Sequence, residues 1–269
     1  MRLEAGCQLS FETNAAVPAI FMLRPCSNVD QQILSEDCSL QPSVTVHEYQ
    51  DGYGNWCKRL MVPPGNFQLT TQVQAEVPDT VEVNVKANFV SIENLPDSAL
   101  QFLLPSRYCQ ADLLGDLANQ IVADYPMGYP QVEAIQNWLH ANIKYQYGSS
   151  NSSTSALDTA ESRVGVCRDF AHLSIALCRS LNIPARMVAG YLYQLKPMDL
   201  HAWFEAFVGD RWYTFDATQK ELRGNRIAIA YGRDAADVAL VTHFGSLTLT
   251  QMRVWVNESV PYENLSPVH

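Results

Sequence analysis

The 269-residue sequence predicts an α+β protein in two parts, an amino-terminal β-sandwich followed by a unit that begins in helices and ends in paired strands. Three observations carry that reading. Apolar residues alternate from Leu3 to about Lys86, they recur at helical spacing after residue 110, and the length exceeds the roughly 100–200 residues of a typical single domain. The expected boundaries are 1–93 for the β-sandwich, 94–107 for a connector and 108–269 for the second unit.

In the first part, L-x-A-x-C-x-L-x-F at 3–11, AIFML at 19–23, SVTVHEY at 43–49, FQLTTQVQAEV at 67–77 and TVEVNVK at 80–86 each read as a strand. Turn residues separate them, notably DGYGN at 51–55 and PPGN at 63–66. The connector NLPDSALQFLLPS at 94–106 carries two prolines and no clear period, which suits a segment lying against both parts. Beyond it, Leu113, Leu114, Leu117, Ile121 and Val122 mark a first helix. Pro130 opens a second, through Val132, Ile135, Trp138, Leu139 and Ile143. The polar run GSSNSSTS at 148–155 reads as a loop, either a solvated connection or a flap over a neighbouring site.

Composition narrows the function classes. The formal charge of -10 with no Lys/Arg cluster argues against nucleic-acid binding, which depends on basic patches. No window approaches the roughly 18 apolar residues of a membrane-spanning helix. The amino terminus, MRLEAGCQLSFET, alternates like a strand and lacks a signal-peptide core. The seven cysteines are an odd number and include no C-x-x-C pair, so a reduced, cytoplasmic setting is expected rather than a disulfide framework.

The chemistry concentrates between Gly165 and Asp216. After Cys167 the apolar residues Phe170, Ala171, Leu173, Ile175, Ala176, Leu177, Cys178 and Leu181 cover most of a helix circumference, so Cys167 falls in the first turn of a buried helix. There the unpaired N–H groups and the positive end of the helix dipole favour a sulfur anion and a developing oxyanion. In HAWFEAFV, His201, Trp203, Glu205 and Phe207 share one strand face; in RWYTFDAT, Trp212, Thr214 and Asp216 share one. If Gly209 and Asp210 form a two-residue hairpin turn, Val208 pairs with Arg211 and Trp203 with Asp216. Asp216 then lies diagonal to His201 on the same face, within reach of the imidazole. A one-residue slip would send it to the opposite face. Cys167, His201 and Asp216 are thus the candidate catalytic residues: nucleophile, general base and acid, and orienting carboxylate.

The runs R-x-G-x-C-R-D-F-A-H-L at 163–173, IPARMVAGYL at 183–192, H-A-W-x-E-A-F at 201–207 and W-Y-T-F-D-A-T at 212–218 resemble the transglutaminase-like family, in particular its bacterial cysteine-protease-like members. GRDAADV at 232–238 resembles a further signature of that group. DGYGN and LQFLLPSRY at 100–108 resemble its amino-terminal β domain and connector, so the likeness runs through nearly the whole chain. It implies a papain-like core in which the cysteine helix packs on an antiparallel sheet bearing the histidine and aspartate. It assigns the same roles to Cys167, His201 and Asp216, and implies a thioester acyl-enzyme formed from a peptide or protein amide, without a cofactor. Hydrolysis is the favoured outcome. Transfer to an amine is the enzymatic alternative, and a noncatalytic peptide or cell-wall binding module the alternative of another class.

Several neighbours have plainer readings. His172 follows Cys167 by five residues and suits a packed helix histidine. Cys167, His172, Cys178 and His201 lack the close ligand pairs of zinc sites, so no metal is expected. Arg233, Asp234 and Asp237 suit a structural charge network better than a site lining. Arg168 and Asp169 adjoin the nucleophile but point away from it on a helix, Arg168 being a candidate to hold a thiolate. Cys167 N–H is one expected oxyanion donor, with Tyr147 and Trp203 as weaker candidates for a second.

Overall fold

The computed structural model describes residues 1–25, 27–28 and 30–259. Cys26 lies outside the described residues; the other six cysteines are free thiols.

The amino-terminal part comprises β1 (Arg2–Thr13), β2 (Val17–Arg24), β3 (Gln32–Gln41), β4 (Val46–Gln50), β5 (Trp56–Val62) and β6 (Gly65–Glu76). The second part contains α1 (Asp97–Leu100), α2 (Gly115–Val122), α3 (Tyr129–Asn142), β7 (Lys144–Tyr145), α4 (Ala156–Ser162), β8 (Val164–Gly165) and α5 (Cys167–Ser180). These are followed by β9 (Ala185–Leu192), β10 (His201–Val208), β11 (Arg211–Phe215), β12 (Arg226–Gly232), β13 (Val241–His243) and β14 (Thr248–Glu258).

Two four-stranded antiparallel sheets, β14-β1-β6-β3 and β13-β2-β5-β4, form the amino-terminal sandwich. The alternation in β1 does what its period demands: Leu3, Ala5, Cys7, Leu9 and Phe11 are all buried. Across the sandwich Phe21 meets Phe11 at 5.8 Å and Phe67 at 6.2 Å between ring centroids. The sandwich is completed from the carboxyl end. β14 pairs with β1 and β13 with β2, so 241–258, assigned with 108–269 from sequence, hydrogen-bond into the sheets of the first part.

Two further differences are local. The segment 80–86 is not a strand despite its alternating valines; Val83 and Val85 are 57% and 55% exposed. It crosses from the sandwich to the core, and alternation without a neighbouring strand to pair with has no ladder to form. β3, which the pattern did not announce, is an edge strand on β6 whose residues are mostly exposed, so it carries no apolar alternation. The connector does lie against both parts: Phe102 packs on Tyr53 at 6.0 Å and on Trp212 at 5.3 Å.

The core sheet has the order β11-β10-β9-β12, all antiparallel. Phe204, Ala206 and Val208 of β10 join the same apolar core as Phe170, Leu173 and Leu177 of α5. Trp203 instead joins Val188 and Ala228 in a separate small cluster on the other side of the sheet. Helix and sheet together fix the relative positions of Cys167, His201 and Asp216.

Candidate active site

α5 starts sharply at Cys167. Val166 is extended (φ -112, ψ 180), and the Asp169 carboxylate, three residues on, accepts the Val166 N–H at 2.9 Å, capping an otherwise unpaired donor. Gly165 makes room for this cap, since a Cβ there would stand 2.8 Å from Asp169 Cβ. Cys167 is therefore the first helical residue, its side chain partly exposed. Cys178, on the same helix, is fully buried, and burial pushes its thiol up.

The hairpin supplies the other two groups. Gly209 has φ 65, the left-handed conformation that the first position of a type II′ hairpin turn requires. The register is Val208↔Arg211 through Phe204↔Phe215, the one inferred from that turn. Asp216 then lies diagonal to His201, and His201 Nε2 is 2.8 Å from Asp216 Oδ2, both residues buried. Burial alone would raise the Asp216 pKa. The charges of His201 and Arg226 and the hydrogen bonds from His201 and Thr218 outweigh it and hold the carboxyl well below the usual range. An ionised carboxylate only accepts, so Nε2–H is the donor and Nδ1 is the ring nitrogen left for Cys167. For His201, burial opposes the charged ring. Asp216, by charge and hydrogen bond, and then Cys167 overcome that opposition and raise the imidazole to about 9.

Residues that local sequence did not reveal brace Asp216. Arg226, 8% exposed, places Nη1 2.9 Å from Asp216 Oδ2. The Thr218 hydroxyl and backbone N–H donate to Oδ1 at 2.6 and 3.1 Å, and Asp216 N–H donates to Gln136 Oε1 at 2.8 Å. Thr218 was legible in principle, because an Asp followed two residues later by Thr is an Asx-turn pattern. Arg226 and Gln136 come from other elements and carried no local signal.

Tyr145, not Tyr147, is the phenol next to Cys167. β7 and β8 pair in parallel, setting Tyr145 opposite Gly165. Burial and then the charge of Cys167 push the Tyr145 phenol up. Tyr147 is 55% exposed and packs on Tyr145 at 5.4 Å. Trp203 lies beside the His201 ring at 6.2 Å with the Arg226 guanidinium 5.0 Å over it, and among the described residues its indole N–H has no hydrogen-bond partner.

Arg168 turns from the sulfur toward the 148–155 loop. It donates to Ser150 Oγ and to Asn151 O, each at 2.6 Å, and pairs with Asp169 at 3.1 Å. Ser150 Oγ in turn donates to Asp169 Oδ1 at 3.0 Å, so the polar loop is pinned to the start of α5. His172 is fully buried, stacks on Tyr108 at 5.0 Å and accepts the Ala235 N–H at 3.1 Å through Nε2. Burial drives its pKa well below the ordinary value, so the ring is neutral. Arg233 and Asp237 form a bidentate pair (2.8 and 3.2 Å) that Tyr53 joins with its hydroxyl at 2.7 Å. Asp234 accepts the N–H groups of Tyr108 and Ala236. The GRDAADV and DGYGN segments thus tie sandwich to core. Among the described residues no three His, Cys, Asp or Glu side chains are grouped to hold a metal ion, and no helix is long and apolar enough to cross a membrane.

The chain is similar in sequence and fold to known proteins. Residues 115–217 match the transglutaminase-like superfamily and residues 13–78 the bacterial transglutaminase-like N-terminal region. A crystal structure of a "putative cysteine protease" from Cytophaga hutchinsonii is 35% identical and superposes with a TM-score of 0.89 over 97% of this chain and 93% of that one. An uncharacterized protein of Mycobacterium leprae is 26% identical over 231 residues, 81% of this chain and 82% of its own length. An uncharacterized protein of Mycobacterium tuberculosis is 32% identical over 127 residues, 40% of each.

Proposed function

The chain belongs to the transglutaminase-like superfamily, and from that membership we propose that it is a cysteine-dependent hydrolase of peptide or protein amides, working through a thioester acyl-enzyme. The observation that carries the reading is the buried 2.8 Å His201–Asp216 pair facing the first residue of α5, Cys167. A thiol at that position has a base to take its proton, a carboxylate to hold that base, and helix N–H groups to receive an oxyanion.

In the proposed cycle His201 already holds the proton of Cys167 as an imidazolium near neutral pH, and the sulfur anion forms a bond to the amide carbon while the carbonyl π electrons move to oxygen. The oxyanion meets the Cys167 N–H at the helix end, beside Tyr145. As the tetrahedral adduct collapses, the C–N bond breaks and the imidazolium gives its proton to the leaving nitrogen, which departs as an amine or ammonia. His201 then takes a proton from water, whose oxygen attacks the thioester carbon. The C–S bond breaks, the carboxylic acid leaves and the ion pair of Cys167 and His201 is restored. Asp216 stabilises the imidazolium at each stage without accepting its proton, and Arg226, Thr218 and Gln136 keep Asp216 aimed.

Alkylation tests this directly. Iodoacetamide near neutral pH should label Cys167 stoichiometrically and far faster than an ordinary thiol, and His201→Ala should abolish the excess. Labelling at an ordinary thiol rate in the unsubstituted protein would sink the enzymatic reading in favour of a binding module.

A further inference from the structure

A cavity of about 380 Å³ lies on the face of the core sheet away from α5, where Trp203, Thr214 and Arg226 meet the crossing segment 78–82. Its volume falls in the range of small-molecule sites, which favour junctions between structural units. Hydrogen bonds from Asn225 N to Pro78 O and from Gln31 Nε2 to Ala228 O, each 2.8 Å, fasten the junction around it. Cys167, His201 and Asp216 are not among the lining residues, so the cavity is distinct from the candidate active site, although Arg226 reaches both.

The charges of the walls are already matched. Glu205 is paired with Arg186, and Asp30 and Glu82 share Arg211 at the exposed rim. Arg226 sets Nη1 2.9 Å from Asp216 Oδ2, which compensates its charge from outside the cavity. What the walls leave open is hydrogen-bonding capacity. Among the described residues Trp203 Nε1 and Arg226 Nη2 are buried donors without an acceptor, and Nη1, despite its ion pair, makes no directed hydrogen bond. Trp203 is 3% exposed and Arg226 8%, and the two adjoin, the guanidinium 5.0 Å over the indole. Against these donors stands one buried acceptor without a donor, Asn225 Oδ1, next in sequence to Arg226. Buried polar groups without partners are costly, so a ligand that supplies acceptors, and one donor, gains what the protein lacks. An anion would supply acceptors, but it would face three lining carboxylates and crowd Asp216 on the same guanidinium. A primary carboxamide supplies both kinds of group without charge: two lone pairs on its carbonyl oxygen for the indole and the guanidinium, and an NH2 for Asn225.

We propose that this cavity is a second binding site, one that takes a small uncharged amide: its carbonyl oxygen on Trp203 Nε1 and Arg226 Nη2, its NH2 on Asn225 Oδ1, and a compact apolar body toward Pro78, Val81 and Ala228.

Heteronuclear NMR on the full chain carrying Cys167→Ala, which removes any acyl chemistry, tests this independently of the reaction at Cys167. The Trp203 indole N–H cross-peak, assigned through its own side chain to the backbone, should move downfield and saturate as isobutyramide is added, because a new acceptor deshields the proton. Isobutyrate and isobutylamine, similar in size but charged, should need concentrations at least about tenfold higher, the size expected of one hydrogen bond lost. Thr214→Phe, which fills the cavity from a partly exposed position, should abolish the shift. Equal or tighter binding of isobutyrate would overturn the proposal, and so would an indole cross-peak that isobutyramide leaves in place. An unchanged shift in a Thr214→Phe protein that melts like its parent would overturn it as well, by putting the probe elsewhere. Should Thr214→Phe fail to fold, the comparison of the three probes decides.

Discussion

Replacing Asp216 with Asn changes one atom of side-chain chemistry and two charges' surroundings. Asp216 is 1% exposed and faces both His201 Nε2 at 2.8 Å and Arg226 Nη1 at 2.9 Å. The rise of His201 from its ordinary 6.5 to about 9 corresponds to about 3 kcal/mol favouring the protonated ring, with Asp216 the largest of the groups that raise it against burial. A raised folded-state pKa contributes stability that is fully present below 6.5 and lost as pH climbs through about 9. The unsubstituted protein should therefore lose up to about 3 kcal/mol between those pH values from this group. In Asp216→Asn burial has no carboxylate to oppose it, so the ring should be neutral at pH 7.5, and this segment of the stability profile should flatten. Arg226 is left with an uncompensated buried charge, a loss of about 3–5 kcal/mol at all pH values. Titration of the His201 Cε1–H resonance, identified by its disappearance in His201→Gln, reads the first effect, and urea unfolding at several pH values reads the second. A His201 that titrates near 6.5 in the unsubstituted protein, or one unmoved by Asp216→Asn, would refute the reasoning.

Other expectations follow from the same geometry. Gly165→Ala drives a methyl against Asp169 and disturbs the cap of α5, so it should lower stability by about 1–3 kcal/mol in thermal unfolding and slow Cys167 alkylation. Arg168→Met removes the contacts that pin 148–155, so limited proteolysis in that loop should accelerate while Cys167 remains reactive. Cys178 should stay unlabelled by iodoacetamide in the native protein and become labelled only on unfolding, as peptide mapping would show. With a glutamine-containing peptide and a primary amine, mass spectrometry should find hydrolysis exceeding amine incorporation; the reverse ratio would replace hydrolysis by acyl transfer.

Much of the candidate site was readable because its determinants are local. An apolar circumference beginning after Gly165 places Cys167 at a helix start, and a Gly209-Asp210 turn dictates a register that puts His201 and Asp216 on one face. Strand alternation behaved the same way in β1 and β6, where each buried face has a sheet to pack against. Where alternation lacked a partner it misled, as at 80–86, and where a strand was an exposed edge it was silent, as in β3. Tyr145 was passed over for Tyr147 because their difference is made by two residues of parallel pairing with Val164 and Gly165, some twenty positions away.

The sequence by itself determined which side chains make up the candidate site and the faces they share, since period, capping and turn type act over a few residues. Only the tertiary structure decided what surrounds them. Arg226 reaching Asp216, Arg168 turning to the loop instead of the sulfur, the return of β13 and β14 to complete the sandwich, and the cavity behind the sheet all join distant segments. Such contacts are chosen by burial and charge compensation across the whole fold, and no local pattern encodes them.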